Sequence, residues 1–185
     1  RISSTGANNE DLCRSCVASR NGTFDVGNHV YTQWKRYAPN IVVSVKRLMG
    51  GAISDDQVQK MKADRDAYPY GIKQLTGGTE ESVAVVLEGR EYTPEQISAE
   101  ILKRLKEDAS RKLNDEVTHA VITVPAYFSQ KQKAATRKAA ELAGLKVQRL
   151  LAEPSAAAIS YGMDQYGPDE AKTFLVYDFG GGTFD

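Results

Sequence analysis

Residues 114–185 of the 185-residue chain are predicted to form an α/β layer. Three apolar runs of strand length occur in this part of the chain, at 117–124, 147–152 and 173–179. The segments between them carry helical start signals, because Ser129 with Gln132 can form a capping box and Pro154 suits the first turn of a helix. Strands that alternate with helices in this way are typical of a parallel sheet covered by helices.

The elements of this layer follow in order along the chain. The first apolar run is continuous, which predicts a strand buried on both faces, and Pro125 ends it. The helix that starts at Ser129 is predicted to reach Ala143 and to stop at Gly144, because glycine readily adopts the left-handed conformation that closes a helix. The alanine-rich segment 154–161 is predicted to form a short helix before the third strand.

Upstream, residues 1–24 are predicted to be a loose N-terminal segment with a remnant strand, and residues 25–113 a smaller α+β region. Residues 41–45 are rich in valine and could form either a strand or a buried helical turn. Ser54 is expected to cap a short helix that runs through Met61. A hairpin is predicted from 83–88, the turn Gly89-Arg90 and 91–93.

The clearest helix start in the chain lies at Thr93. Thr93 and Gln96 can form a capping box, and Pro94 occupies the first helical position. The following residues carry one apolar stripe at helical spacing, which is predicted to face the core. Its members are Ile97, Ile101, Leu102, Leu105, Ala109 and Leu113.

Composition excludes several classes of function. The 24 basic and 24 acidic residues give a net charge of zero, which offers no argument for binding to nucleic acid or to a lipid surface. The chain is 41% hydrophobic, and no apolar run approaches the roughly 18 residues needed to cross a bilayer. We therefore expect no nucleic-acid partner and no membrane. The first twenty residues lack the apolar core of a secretory signal, so a cytoplasmic location is expected.

Cys13 and Cys16 form a C-x-x-C pair, a spacing that occurs in redox and zinc sites. A zinc ion needs about four ligands, and only His29 and His119, both distant in sequence, could supply the others. The flanking residues also lack the strand-to-helix context of a redox pair. We expect two structural cysteines on or beside a short strand.

The stretch YDFGGGTFD at 177–185 places three glycines and a threonine between two aspartates. Glycines allow backbone N–H groups to approach phosphate oxygens, because no Cβ holds the ligand away. Asp178 could hold a hydrated Mg²⁺, an ion that takes only one or two carboxylates and bridges phosphates. The P-loop and dinucleotide-binding patterns are absent from the sequence. The stretch predicts a phosphate site, with a plain glycine hairpin as the alternative.

Three stretches together carry a resemblance to a known family: ITVPAYFSQKQKAATRKAAELAG, LLAEPSAAAISYG and LVYDFGGGTFD. They resemble the ATPase domain of the 70-kDa heat-shock chaperones of the DnaK type, which belong to the actin-like ATPases. Upstream, PNIVVSVKRLMG and TPEQISAEILKRLKEDA are similar to the family's lysine segment and long helix. The resemblance covers residues 8–185 and implies an actin-like, ribonuclease H-like lobe with a smaller inserted α+β subdomain at 25–113.

The resemblance also implies a site. Lys46 matches the lysine that orients the attacking water and stabilises the transferring phosphoryl group, and Glu153 matches a glutamate near the water shell of magnesium. Asp178 and Asp185 match two aspartates that act at the metal and the water. Pro125 and Glu153 match positions that relay nucleotide state to a partner domain. The turn that grips the terminal phosphates matches Gly180, Gly181, Gly182 and Thr183.

The sequence also departs from the family pattern. The opening strand of the family, D-L-G-T-T, has no counterpart here, so the N-terminal strands and the second lobe are expected to be missing. Without those strands a hydrophobic sheet edge beside 117–124 would be bare, which predicts reduced stability or an oligomer. By itself the segment is expected to be inactive and to bind nucleotide no tighter than about millimolar.

The function implied by the resemblance is ATP binding and hydrolysis that drives protein folding in the stress response. ATP or ADP and Mg²⁺ are the implied cofactors. The implied partners are unfolded client proteins, bound through a peptide-binding domain outside this sequence, a co-chaperone and a nucleotide exchange factor. Two alternatives stay open: a non-catalytic interaction module of the same family, and a lobe of an actin-like sugar kinase.

Overall fold

The structure is a computed structural model that describes residues 12–162, 173 and 175–177. The strands in chain order are β1 Cys16–Arg20, β2 Thr23–Val26, β3 Ile41–Val43, β4 Gly71–Gln74, β5 Val83–Leu87, β6 Arg90–Tyr92, β7 His119–Val124 and β8 Lys146–Ala152. The α-helices are α1 Asn28–Thr32, α2 Trp34–Tyr37, α3 Asp56–Ala63, α4 Pro94–Leu113, α5 Gln130–Leu142 and α6 Glu153–Ser160. A 3₁₀ helix spans Val45–Leu48. In these described ranges no helix is long and apolar enough to cross a membrane.

The first sheet is antiparallel and has the order β2-β1-β3. Both interpretations of the valine-rich segment 41–45 are correct in part. Residues 41–43 form strand β3, and the 3₁₀ helix begins two residues later. Ser44 lies between them with φ 55°, and this left-handed residue turns the chain out of the strand.

The second sheet has the order β4-β5-β6 and confirms the predicted hairpin. Its two turn residues are Glu88 and Gly89, with φ of 49° and 76°, so the turn lies one residue earlier than predicted. Two successive positive φ angles give a two-residue turn whose twist matches that of the strands it joins. Glycine adopts such an angle without strain.

The largest apolar core lies among these two sheets, the 3₁₀ helix, α3 and the start of α4. Tyr70 is fully buried at its centre and donates a hydrogen bond from its hydroxyl to the carbonyl oxygen of Val43 at 2.8 Å. Because the buried hydroxyl is satisfied, the ring can fill the core without leaving a polar group unpaired. Beside this core, Trp34 and Tyr37 pack against buried Val30 and Ile41.

The long helix α4 begins as predicted. Thr93 is the N-cap, the side chains and backbones of Thr93 and Gln96 form the capping box, and Pro94 opens the helix. The predicted apolar stripe is only half correct. Ile97 and Ile101 are buried, whereas Leu105 and Leu113 are exposed. In the described part of the chain neither exposed leucine belongs to an apolar cluster, because α4 continues beyond the core that its first half covers.

The short helix α3 differs from its prediction. Asp55, not Ser54, is the N-cap, and the helix ends at Ala63 rather than at Met61. The carboxylate of Asp55 bends back to accept the backbone N–H of Ala52 at 2.8 Å, so this acid organises the turn before the helix.

The α/β layer is built from β7, β8, α5 and α6. Strands β7 and β8 are parallel, as the alternation of strands and helices predicted. The N-cap of α5 is Ser129 with its capping box to Gln132, and Gly144 with φ 71° follows the helix, as predicted. Helix α6 begins at Glu153, one residue earlier than predicted. The predicted strand 173–179 lies largely outside the described residues.

Strand β7 is not buried on both faces, contrary to its prediction. It begins at His119 rather than Val117, and its residues alternate between exposed and covered positions. Ala120 and Ile122 pack toward α5, whereas Val121 points to the opposite face with 58% of its surface exposed. The apolar run predicted the strand correctly, but its continuity did not decide whether a second layer covers the other face.

Glu88 joins the two antiparallel sheets. Its carboxylate accepts hydrogen bonds from the hydroxyl of Ser19 at 2.7 Å and from the backbone N–H groups of Asn21 and Gly22 at 2.8 and 3.0 Å. Its own backbone N–H donates to the side-chain oxygen of Asn40 at 2.8 Å. One residue of the β5–β6 turn is therefore bonded both to the β1–β2 turn and to the segment before β3.

Replacing Glu88 with glutamine should destabilise the fold at neutral pH and should matter less in acid. The bonds from Ser19, Gly22 and Asn21 hold the pKa of the Glu88 carboxyl below its ordinary value of 4.5. A carboxyl whose pKa is lower in the folded chain stabilises the fold above the unfolded pKa and loses this effect as the pH falls through the folded pKa. Thermal melting of wild type and Glu88→Gln should therefore differ at neutral pH and converge as the pH falls below 4.5.

Glu107→Gln is the matched control, because Glu107 is exposed on α4 and the substitution removes the same charge. It should melt like the wild type at neutral and at acid pH. Equal melting temperatures for Glu88→Gln and wild type at neutral pH would show that the carboxylate contributes nothing to stability.

Candidate functional site

Lys46 and Glu153, which are 107 positions apart in sequence, meet in one cleft. The cleft has a volume of about 530 Å³ and lies between the 3₁₀ helix, the start of α6 and the turn that leads into α5. Its charged and aromatic lining consists of Arg14, Tyr31, Lys46, Arg47, Tyr127, Phe128 and Glu153.

The 3₁₀ helix positions Lys46. Val45 and Leu48 on either side of it are buried in the main core, so the helix cannot rotate without exposing them. The loop after the helix is pressed against α5, because a Cβ on Gly50 would lie 3.0 Å from backbone atoms of Gln132. Gly50 also has φ 60°, so a larger residue there would be both crowded and strained. The segment that carries Lys46 is therefore anchored on two sides.

Glu153 is placed by the end of a parallel strand. It follows β8 directly and is the first residue of α6. A carboxylate in the first turn of a helix is favoured by the helix dipole. The edge at the carboxyl ends of parallel strands is also where α/β sheets commonly bind ligands.

The ammonium group of Lys46 contacts two groups in the cleft. It forms an ion pair with a carboxylate oxygen of Glu153, and it lies 5.8 Å from the centre of the Phe128 ring. The Lys46 side chain is 45% exposed and that of Glu153 19%, so the pair is open to solvent on the lysine side. An aromatic face within about 6 Å attracts a cation, so ring and carboxylate together restrict where the ammonium can lie.

The position of Phe128 is set by the turn that follows β7. The backbone N–H of Phe128 donates to the carbonyl oxygen of Pro125 at 3.1 Å, and Pro125 itself is buried. This turn directs the Phe128 ring toward the cleft just before the capping box of α5. Sequence reasoning singled out Pro125 but not Phe128, although the aromatic pair in AYFS directly after a strand end was a usable signal.

The charges that line the cleft favour an anion. Its described lining contains three cationic side chains, Arg14, Lys46 and Arg47, and one carboxylate, Glu153, which leaves two more positive than negative groups. Low-dielectric walls strengthen such a field relative to open solvent. Within the described residues no group of three or more metal-ligating side chains occurs, so a metal ion here would take most of its ligands from water or from a bound anion.

The remaining predicted site residues are not described. Asp178, Gly180, Gly181, Gly182, Thr183 and Asp185 all lie outside the described residues, so the structure brings together only Lys46 and Glu153 from the predicted set. Pro125 does not line the cleft, but its carbonyl oxygen accepts a hydrogen bond from the backbone of Phe128, which does. Arg14 and Tyr31, which also line the cleft, had no predicted role.

Comparison with known proteins gives the class of protein. A family model described as "Hsp70 protein" matches residues 6–185. The chain is 41% identical over 179 residues to the chaperone protein DnaK of Thermus thermophilus, with the same identity in each of two strains of that organism. Each match covers 97% of this chain and 27% of the relative.

The chain belongs to the Hsp70 family. It spans about a quarter of the length of the curated relatives that it matches. The family assignment agrees with the mixed α/β architecture of the described residues.

The two cysteines are structural in this setting. Cys16 begins β1 and is buried, and both thiols are free, which confirms the prediction of cysteines on or beside a short strand. Burial raises the pKa of the Cys16 thiol to about 12, although the nearby Arg14 opposes the shift. Partial burial also raises the pKa of Cys13. Both thiols are therefore protonated at neutral pH, which disfavours redox chemistry and metal binding.

Alkylation of the folded chain at pH 8 should modify Cys13 well before Cys16. With a pKa of about 12, roughly one Cys16 thiol in ten thousand is a thiolate at this pH, and burial also blocks the reagent. Peptide mapping by mass spectrometry after timed exposure to iodoacetamide measures both rates. In urea the two cysteines should react at similar rates, and similar rates in the folded chain would contradict the buried position of Cys16.

Proposed function

We propose that this chain contributes Lys46 and Glu153 to the ATP-hydrolysing site of an Hsp70 chaperone. The observation that carries the proposal is the Lys46–Glu153 ion pair, formed in a positively charged cleft at the carboxyl ends of β7 and β8. Family membership supports the same conclusion and favours a chaperone over an actin-like sugar kinase.

In this proposal Lys46 orients the attacking water and stabilises the transferring phosphoryl group. Phosphoryl transfer requires positioning and fixed positive charge far more than covalent chemistry by the protein. The ion pair with Glu153 and the ring of Phe128 hold the ammonium in the cleft before any ligand arrives. A preorganised charge costs little further rearrangement at the moment of reaction, which is when it is needed.

We further propose that the glycine turn completes the site. Gly180, Gly181, Gly182 and Thr183 would contact the terminal phosphates of ATP or ADP, and Asp178 and Asp185 would act at the metal and the water. The donor set of the cleft fits hydrated Mg²⁺, because it offers a single carboxylate and cations that suit the phosphates. When bound, this ion would neutralise phosphate charge.

We propose that residues 25–113 act as the smaller subdomain and residues 114–185 as the actin-like core, with 1–24 preceding them. In the cytoplasm, nucleotide state would be relayed through Pro125 and Glu153 to a domain that binds unfolded client proteins, assisted by a co-chaperone and an exchange factor. The connection from Pro125 to Phe128, and from the ring of Phe128 to Lys46, offers a physical route for such a relay.

Lys46→Ala should slow ATP hydrolysis far more than it weakens ATP binding, in a complete ATPase domain that contains residues 1–185. The charge matters most where negative charge shifts during transfer, and removing one preorganised electrostatic group costs about a hundred- to a thousandfold in rate. Single-turnover hydrolysis should fall by about two to three decades, whereas ATP affinity should stay within about tenfold of the parent.

Lys103→Ala is the matched control. Lys103 is 46% exposed and pairs with Glu100, which is 22% exposed, so its setting closely resembles that of Lys46 and Glu153. The control should hydrolyse ATP at the parent rate. If Lys46→Ala weakens ATP binding by much more than tenfold but leaves the single-turnover rate at saturating ATP unchanged, Lys46 is only a phosphate anchor. If neither property changes, Lys46 lies outside the site.

A further inference from the structure

Arg14 is a cation of the cleft to which the proposed function assigns no role. It lies on the segment before β1 and lines the cleft together with Lys46. The resemblance to the chaperone family assigned a phosphate role to Lys46 and none to Arg14.

The guanidinium of Arg14 is held in place from one side. Its carbon lies 4.3 Å from the centre of the Tyr31 ring, a cation–π contact. Tyr31 is itself supported by an edge-to-face contact with Trp34, at 6.2 Å between ring centres. The backbone N–H of Arg14 donates to the side-chain oxygen of Asn28 at 2.9 Å, which fixes the chain beneath the side chain.

Each of the other two cations of the cleft already has a polar partner. Lys46 is paired with Glu153, and the guanidinium of Arg47 donates to the hydroxyl of Tyr68 at 3.1 Å. Arg14 is exposed, and no carboxylate among the described residues forms an ion pair with it. A guanidinium carries five N–H donors in a planar fork, so a contact with one ring does not use all of them and donors remain for an anion.

We propose that Arg14 is a second anion-binding residue of the cleft, so that the cleft holds linked phosphates and not a single one. Lys46 contacts one phosphate as a point charge, and Arg14 contacts a neighbouring phosphate through two parallel N–H donors. The cleft volume of about 530 Å³ lies in the range of small-molecule sites, about 300–1,000 Å³. The inference rests on the proposed function, since it assigns a further residue to the same site.

The test uses the 185-residue chain and two simple probes, inorganic tripolyphosphate and inorganic orthophosphate. Each is titrated at low ionic strength, where electrostatic binding is least screened, and amide chemical shifts measured by NMR report the affinity. Arg14→Gln should weaken tripolyphosphate binding by about tenfold or more, the usual effect of losing a hydrogen bond to a charged group. Orthophosphate binding should change by less than about threefold, because a single phosphate can stay at Lys46.

Two further variants separate a specific contact from a general loss of charge. Arg36→Gln is the matched control, because Arg36 is an exposed arginine on α2 that does not line the cleft. It should change tripolyphosphate affinity by less than about twofold. Arg14→Lys keeps the charge but loses the planar pair of donors, so its affinity should fall between those of wild type and Arg14→Gln. Dispersed amide spectra for every variant show that the fold is retained.

Equal weakening by Arg14→Gln and Arg36→Gln would overturn the inference, because any positive charge would then suffice. If Lys46→Met weakens both probes and Arg14→Gln weakens neither, Arg14 is not a phosphate ligand, while the proposed role of Lys46 stands. If the wild-type chain binds tripolyphosphate no more tightly than orthophosphate, the inference is wrong, because Arg14 then adds no second phosphate contact, while the proposed role of Lys46 stands.

Discussion

The packing of α4 against two separate cores is the constraint on which the rest of the structure depends. Ile97 and Ile101 on one side of the helix enter the main core of the antiparallel sheets. Ala99 and Leu102 on another side pack against α5 and the parallel strands. Alanines at this contact, including Ala139 and Ala140 of α5, let the two helices approach closely. A shared helix of 20 residues thus fixes how the two parts of the described chain lie against each other.

This packing is what brings the cleft residues together. Lys46 belongs to a 3₁₀ helix anchored in the main core, and Glu153 belongs to the parallel layer. Met49, which follows that 3₁₀ helix, packs against Ala135 and Ala139 of α5 and so ties the two regions together a second time. The ion pair is partly exposed, and such pairs contribute little to stability. We therefore regard it as a consequence of the packing, and as a means of orienting charge, more than as a cause of the fold.

Several different contacts restrain the cations of the cleft. Lys46 is oriented by a carboxylate and a ring, Arg14 by a ring and a fixed backbone, and Arg47 by a tyrosine hydroxyl. Each contact restrains the side chain while leaving part of its hydrogen-bonding capacity available. A site for highly charged ligands benefits from such restraint, because less side-chain freedom is lost when the ligand binds.

The sequence by itself determined the local elements, and the tertiary structure decided which residues meet. The capping boxes at Thr93 and Ser129 are local patterns, since a side chain bonds to a backbone only three residues away, and both were predictable. Family resemblance supplied Lys46 and Glu153 as site residues, but not their contact with each other or with Phe128. The exposure of Leu105 and Val121 was also beyond prediction, because an apolar residue is buried only where another element covers it. The placement of Arg14 beside Tyr31 is likewise a product of tertiary packing, because the two side chains are brought together by the path of the chain and by no local pattern.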